Sequence, residues 1–194
     1  MQLLYSSPNV LWQAPFQQIV DGSSNEDLNG PWRLILLGDG SLTRHLQLLT
    51  GKPVQIELIG MENQKMAEVG DPLEVSELAV PLIKRQVWLC CCGQKLAWAE
   101  SWWNHEQAEQ NLPDKSLPIW RSLTIKRAEL FREVDGLALV NEFWLERSFD
   151  CQGPFWSRHY RFFRNAKELT VIREVFSPAL EMWLGASTNT KYMK

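Results

Sequence analysis

Residues 82–103 read LIKRQVWLCCCGQKLAWAESWW, and this stretch decides the fold class. Ile83 to Cys92 and Lys95 to Trp103 are apolar runs of strand length that flank Gly93-Gln94, so an antiparallel hairpin is the natural reading. Side chains alternate along a strand, which puts Ile83, Arg85, Val87, Leu89 and Cys91 on one face. A guanidinium in that company offers a planar fork of donors suited to a carboxylate and stays charged at any working pH. Near a sheet end the same side chain snorkels to water, and phase alone leaves both readings open.

A second hairpin follows from Trp156 to Arg164 and Glu168 to Phe176, joined by Asn165-Ala166-Lys167. Thr170, Ile172, Glu174 and Phe176 share one face and Val171, Arg173 and Val175 the other. Both faces are partly apolar, so the inward one stays open. Facing inward, Glu174 would have its pKa raised by apolar walls and would suit a ligand hydroxyl; facing outward it is an ordinary surface carboxylate. Arg158 and Arg161 sit on opposite faces of the strand that begins at Trp156. Anion binding by one of them stands against cross-strand pairing with acidic residues or plain solvation.

Outward from the hairpins, Pro31 to Leu37 is a short apolar helix ending at Gly38. Ser41 is the N-cap of a second helix, with Leu42, Leu46 and Leu49 at helical spacing and Gly51 and Pro53 as the stop. Val54, Ile56 and Leu58 alternate with Gln55 and Glu57 as a half-buried strand. A polar connection runs to about Ala79, and Ser116 to Leu123 is a loop entering a helical turn. Lys126 to Glu133 and Leu137 to Arg147 read as further strands, and Asp150 to Pro154 as a mobile flap. The expected fold is α+β: one antiparallel sheet with helices mainly on one side, as a single domain over residues 1–194. Residues 1–30 are loosely patterned and 184–194 are expected to form a flexible tail.

Composition narrows the function classes. With 45% hydrophobic residues the chain can bury a sizeable core, and its net charge of −3 with interspersed signs provides no basic stripe for nucleic acid. No window approaches the roughly 20 apolar residues of a membrane span, and Met1 to Ser7 lacks a signal-peptide pattern. Cys90, Cys91 and Cys92 have no metal-ligand spacing and read, with Cys151, as reduced core residues of a cytoplasmic protein. His45, His105 and His159 are scattered, so no metal site is expected. Gly38-Asp39-Gly40-Ser41 lacks the Walker lysine pattern, and neither a nucleophile elbow nor a dinucleotide fingerprint is present.

Several segments, taken in order, resemble the signature segments of chorismate pyruvate-lyases. They are Arg85-Gln86-Val87-Trp88-Leu89 through Gly93 to Asn104, Leu117-Pro118-Ile119-Trp120-Arg121, Phe155-Trp156-Ser157-Arg158, and Glu174-Val175-Phe176-Ser177-Pro178. Gly40-Ser41-Leu42-Thr43-Arg44 through Pro53-Val54 is similar to that family's early helix and strand, and the likeness spans roughly residues 30 to 180. It is strongest toward the divergent branch of cyanobacteria and plastids. The resemblance implies a closed interior pocket beneath flaps, with Arg85 clamping the ring carboxylate, the Ile119 backbone amide meeting the same group, and Glu174 facing the hydroxyl end. It implies Arg158 or Arg161 as partner of the pyruvyl carboxylate.

The implied activity is conversion of chorismate to 4-hydroxybenzoate and pyruvate for quinone synthesis of the plastoquinone type, without metal or other cofactor, by a monomer. Three departures from the family pattern stand out: Trp120 where many members have glycine, Glu100 where bacterial ubiquinone-pathway members carry a basic residue, and an apparent insertion at Leu137 to Asp150. The alternative is a non-catalytic sensor of small aromatic acids, because the effector domains of some bacterial transcription regulators resemble the same fold. Against it, the chain carries no basic recognition helix. A scaffold whose activity was lost through Trp120 is a further rival.

Overall fold

The computed structural model describes residues 4–23, 28–112, 114, 117–124 and 129–188. In chain order the elements are β1 (Asn9–Pro15), α1 (Phe16–Val20), α2 (Gly30–Leu37), α3 (Leu42–Thr50), β2 (Gln55–Gln64), β3 (Leu82–Cys91), β4 (Gln94–Asn104), α4 (His105–Asn111), α5 (Ile119–Thr124), β5 (Phe131–Asn141), α6 (Phe143–Phe149), β6 (Phe155–Arg164), β7 (Lys167–Phe176) and α7 (Glu181–Leu184). All seven strands join one antiparallel sheet in the order β1-β5-β6-β7-β4-β3-β2. The two hairpins read from the sequence therefore lie side by side at its centre, β7 against β4.

Local chemistry explains these elements. The β3–β4 turn is Cys92-Gly93 and the β6–β7 turn is Asn165-Ala166, and all four residues have positive φ, as the type I′ hairpin turn requires. The first turn thus closes one residue earlier than Gly93-Gln94. In α2 a proline stands in the first turn, and Trp32, Ile35 and Leu36 bury one stripe. In α3 the Ser41 hydroxyl accepts from the Arg44 amide, and Gly51 takes the left-handed conformation that ends the helix.

The sheet is covered on both faces. One carries α1, α2, α3 and α7 over Val87, Leu89, Trp156 and Phe176, and, farther along, α4 and α5 over Trp103, Phe162 and Ile172. The other carries α6 over Trp88, Trp98 and Val175, and a helical turn at Leu73–Glu77 over Trp102 and Val171. Trp98, Trp102 and Trp103 are fully buried, and each such side chain contributes roughly 2–3 kcal/mol of transfer free energy.

Several expectations change. Residues 9–15 form an edge strand paired with β5, where little pattern was legible. Leu137 to Arg147 is not a single strand: β5 ends at Asn141 and Phe143–Phe149 is helical, with Leu145 and Phe149 four residues apart on the buried side. The Lys126 end of the other expected strand falls outside the described residues. Leu58 is 41% exposed although its alternation with Ile56 pointed inward: a bulge breaks the register between Leu58 and Gly60, and Ile59 buries itself on the opposite face, against the Trp88–Trp98 cluster. Asp150 to Pro154 lies beside α6, where Cys151 packs against the Trp88–Trp98 cluster, and does not border the cavity described below. Within the segment expected as a tail, Leu184 is buried and Thr188 bridges to Leu28; residues 189–194 lie outside the described ones.

Candidate active site

Cross-strand register places Arg158 of β6 opposite Glu174 of β7, and two residues along β6 the Tyr160 ring shares their face. The Arg158 Nε donates to Glu174 Oε2 at 2.7 Å, and the Tyr160 hydroxyl donates to Oε1 at 2.9 Å. Arg158 is fully buried, which is tolerable because its charge is answered twice over. Beyond the carboxylate, its Nη1 donates to the carbonyls of Ile35 (2.7 Å), Leu36 (3.3 Å) and Gly38 (3.0 Å), the otherwise unsatisfied acceptors at the C-terminal end of α2. The helix that starts with Pro31 thus fixes the arginine, and the arginine fixes the acid. Burial, followed by the negative charge of Glu174, pushes the Tyr160 phenol upward, so it remains a hydrogen-bond donor at neutral pH.

Glu174 faces a narrow cavity. Arg85, Val87 and Leu89 of β3, Ala99 of β4, Ile172 and Glu174 of β7, and Tyr160 and Phe162 of β6 form its floor. Ser41 to Thr43 at the start of α3, Pro118 to Trp120 at the start of α5, and Arg132 of β5 form its rim. Arg85 is 2% exposed and its Nη2 donates to the Leu117 carbonyl at 3.3 Å. Burial lowers its pKa to about 10, which leaves it charged at neutral pH. The enclosed space is about 50 Å³, roughly the room of one or two waters. A benzoate-sized ligand is larger than this space, and the Trp120 side chain is among those at its rim. This indole lies 6.2 Å from the Phe162 ring and 5.9 Å from the Arg132 guanidinium.

Of the residues singled out in the sequence, Arg85, Ile119 and Glu174 line this one cavity, and Arg158 stands directly behind Glu174. Arg161 does not join them. It projects from the other face of β6 to Asp135 (2.6 Å) and Glu77 (3.3 Å), because alternation sends residues three apart to opposite sides. Glu100 also leaves the site: Ala99 lines the cavity and Glu100 turns away to pair with Arg173, so it bears on the opposite face of the sheet. Two cavity residues escaped the sequence reading. Tyr160 was available from its spacing to Arg158. Arg132 was not, because a bulge between Val134 and Gly136 breaks the phase along β5.

Among the described residues one group has metal-ligand proximity, Glu74, Asp135 and His159, whose ligand atoms lie within 4.8 Å of one another. It sits on the Arg161 side of the sheet, where that guanidinium donates to both Asp135 oxygens and already supplies the positive charge. Among the described residues no helix is long and apolar enough to cross a membrane.

Residues 36–184 match the family model described as chorismate pyruvate-lyase Rv2949c-like. The chain belongs to this family. Its relatives include the ycf21 protein of Cyanophora paradoxa, 30% identical over 89% of this chain and 90% of that one. The ycf21 protein of Pyropia yezoensis is 34% identical over 81% and 87% respectively. These relatives fit the divergent plastid branch of the family. Among solved structures, the effector domain of PhnF from Mycobacterium smegmatis superposes with a TM-score of 0.57 at 14% identity, covering 74% of this chain and 91% of that domain. The C-terminal domain of the histidine utilization repressor from Pseudomonas syringae gives 0.51 at 11% identity, covering 70% and 99%. At such identities the likeness is one of fold: the chorismate lyase-like sheet with its covering helices.

Proposed function

We propose that this protein is a chorismate lyase that eliminates pyruvate from chorismate to give 4-hydroxybenzoate, serving quinone-ring synthesis of the plastoquinone type. The observation that carries the reading is the convergence of Arg85 from β3 and the Arg158–Glu174–Tyr160 triad from β6 and β7 on one narrow cavity. Arg85 takes the ring carboxylate, with the Ile119 amide completing the clamp. Glu174 faces the hydroxyl-bearing ring carbon.

In the reaction the C–H bond at that carbon and the neighbouring ether C–O bond break. The ring becomes aromatic, and the departing enolpyruvate takes up a proton to become pyruvate. Aromatisation makes the reaction downhill, so the protein has mainly to hold the substrate and stabilise charge as it moves. Glu174 suits this part because both of its oxygens are oriented by fixed donors while lone pairs remain to accept the hydroxyl or ring proton. Tyr160 and Arg158 hold it against rotation.

Purified protein is expected to release pyruvate from chorismate without added metal, followed by coupled lactate dehydrogenase. Arg85→Ala should chiefly weaken substrate binding, and unchanged kinetics in both Arg85→Ala and Glu174→Gln would refute the assignment. Binding of 4-hydroxybenzoate without pyruvate release would instead favour a sensor of small aromatic acids on the same scaffold.

A further inference from the structure

A lyase acting on chorismate must answer two carboxylates, and neither arginine that the sequence offered for the second lines the cavity. Arg158 stands behind Glu174, held by it and by the end of α2 with only its Nη2 unpaired, and Arg161 lies on the far face. A third guanidinium stands at the cavity. Arg132 lines it from β5, its guanidinium 4.3 Å from the Tyr160 ring centre, 4.6 Å from that of Phe162 and 5.9 Å from that of Trp120.

Its Nη1 donates to the Gly40 carbonyl, which anchors it to the loop entering α3, while its Nε is buried with no hydrogen-bond partner among the described residues. No ion pair to Arg132 occurs among the described residues, whereas Arg158, Arg161 and Arg173 each have a carboxylate. The residues beside it on the rim, Ser41 to Thr43, form the first turn of the nine-residue α3, whose free amides add positive potential at the same place.

We propose that Arg132 binds the second carboxylate of a dicarboxylate ligand, the enolpyruvyl carboxylate of chorismate, while Arg85 holds the first. This deepens the lyase reading and rests on it. The three neighbouring rings and the Gly40 carbonyl restrict the guanidinium's freedom, so less of it is lost when a ligand arrives. A cation placed beside the departing enolpyruvate also favours the negative charge that develops there.

The test is calorimetric, with two probes: 4-hydroxybenzoate, which has one carboxylate, and meta-(carboxyvinyloxy)benzoate, a stable aromatic with both. Wild type, Arg132→Met, Arg132→Lys and Arg85→Met are compared, with thermal unfolding confirming that each folds. Arg132→Met should weaken the dicarboxylate by about 10- to 100-fold, the worth of a lost charged hydrogen bond, while 4-hydroxybenzoate changes by less than about threefold. Arg132→Lys should retain part of the difference even if the methionine variant fails to fold, and Arg85→Met should weaken both probes.

Equal weakening of the two probes by Arg132→Met, or no weakening of either, overturns the assignment of Arg132. So does a wild type that binds the dicarboxylate no better than the monocarboxylate. If the binding pattern holds but the wild type releases no pyruvate from chorismate, the lyase reading fails and the two-carboxylate site stands. Binding of neither probe sinks both.

Discussion

Arg173 and Glu174 are neighbours on β7 and point to opposite faces of the sheet, and each forms a buried ion pair with a residue directly across from it on the adjoining strand. Arg173 meets Glu100 of β4 with its Nε at 2.7 Å, and Glu174 meets Arg158 of β6 at the same distance. The surroundings then diverge. On the Arg173 side the pair is sealed: Glu100 also takes Lys84 (3.3 Å) and Gln86 (3.1 Å), Lys84 reaches Asp71 (3.2 Å), and Arg173 donates to the Gly70 carbonyl. Two cations meet two acids under the Trp102 ring. On the Glu174 side the pair opens on a cavity whose lining bears two further guanidiniums, Arg85 and Arg132, and no second carboxylate among the described residues. The same cross-strand motif serves as scaffold where charges balance within the protein, and as a candidate site where the balance calls for an anion from outside.

The largest expected effect tests the sealed half. Glu100→Ala leaves Arg173 and Lys84 facing each other without water, which should lower the unfolding free energy by about 3–5 kcal/mol. Denaturant melts check this, with ligand affinity of the folded fraction unchanged. A loss under about 1 kcal/mol would show that the network is solvated and the contrast between the faces false. The open half should respond in kinetics instead. Glu174→Gln keeps the shape and an acceptor oxygen, and Arg158 retains its three carbonyl partners, so stability should fall less than in Glu100→Ala. Pyruvate release should nevertheless drop by about 10²-fold or more, the usual worth of a positioned acid–base group. A variant that melts far earlier but turns over normally would reverse the two roles.

This division was half legible in the sequence. The phase that put Arg85 with Val87 and Leu89 follows from alternation in a regular hairpin, and β3 keeps that alternation across the cavity. Glu174 was ambiguous because β7 is buried on both faces, so apolar residues surround it at every position and hydropathy carries no direction. The deciding information is the cross-strand partner, and Arg158 becomes visible only once β6 and β7 are paired in register. Bulges account for two further losses: one moved Leu58 outward, and the one near Asp135 hid Arg132. Phe143 to Arg147 was read as the end of a strand although Leu145 and Phe149 carried a helical spacing, since a neighbouring run of strand formers masked so short a period. The resemblance to the lyases identified the cavity residues that it matched by motif, and Arg132 lies in none of the matching motifs.

The smallest expected effect is a difference in pH response between the two faces. His45 of α3 is half-buried among Arg158, Arg132, Glu174 and Asp39; burial, then the two arginines, lowers its pKa below the usual 6.5. The folded state thus holds this imidazole neutral where the unfolded chain would protonate it. Below pH 6.5 the unfolded state binds the extra proton, and stability falls as the pH drops from there toward the folded value. Glu168 lies on the other face with Arg161, Glu77, Asp135 and Glu74, and burial raises its pKa to about 7. There the folded state holds the extra proton, so stability contributed at pH 4.5 declines as the pH rises toward 7. Thermal unfolding between about pH 5 and 8 should therefore separate the faces: His45→Gln flattens the acid limb of the wild-type profile, and Glu168→Gln flattens the decline toward neutrality. Both groups are partly exposed, so each change should be a small shift in melting temperature. Profiles of the two variants that run parallel to the wild type would mean that solvent reaches both groups freely, and the cavity face would then lose its claim to a drier, more positive interior.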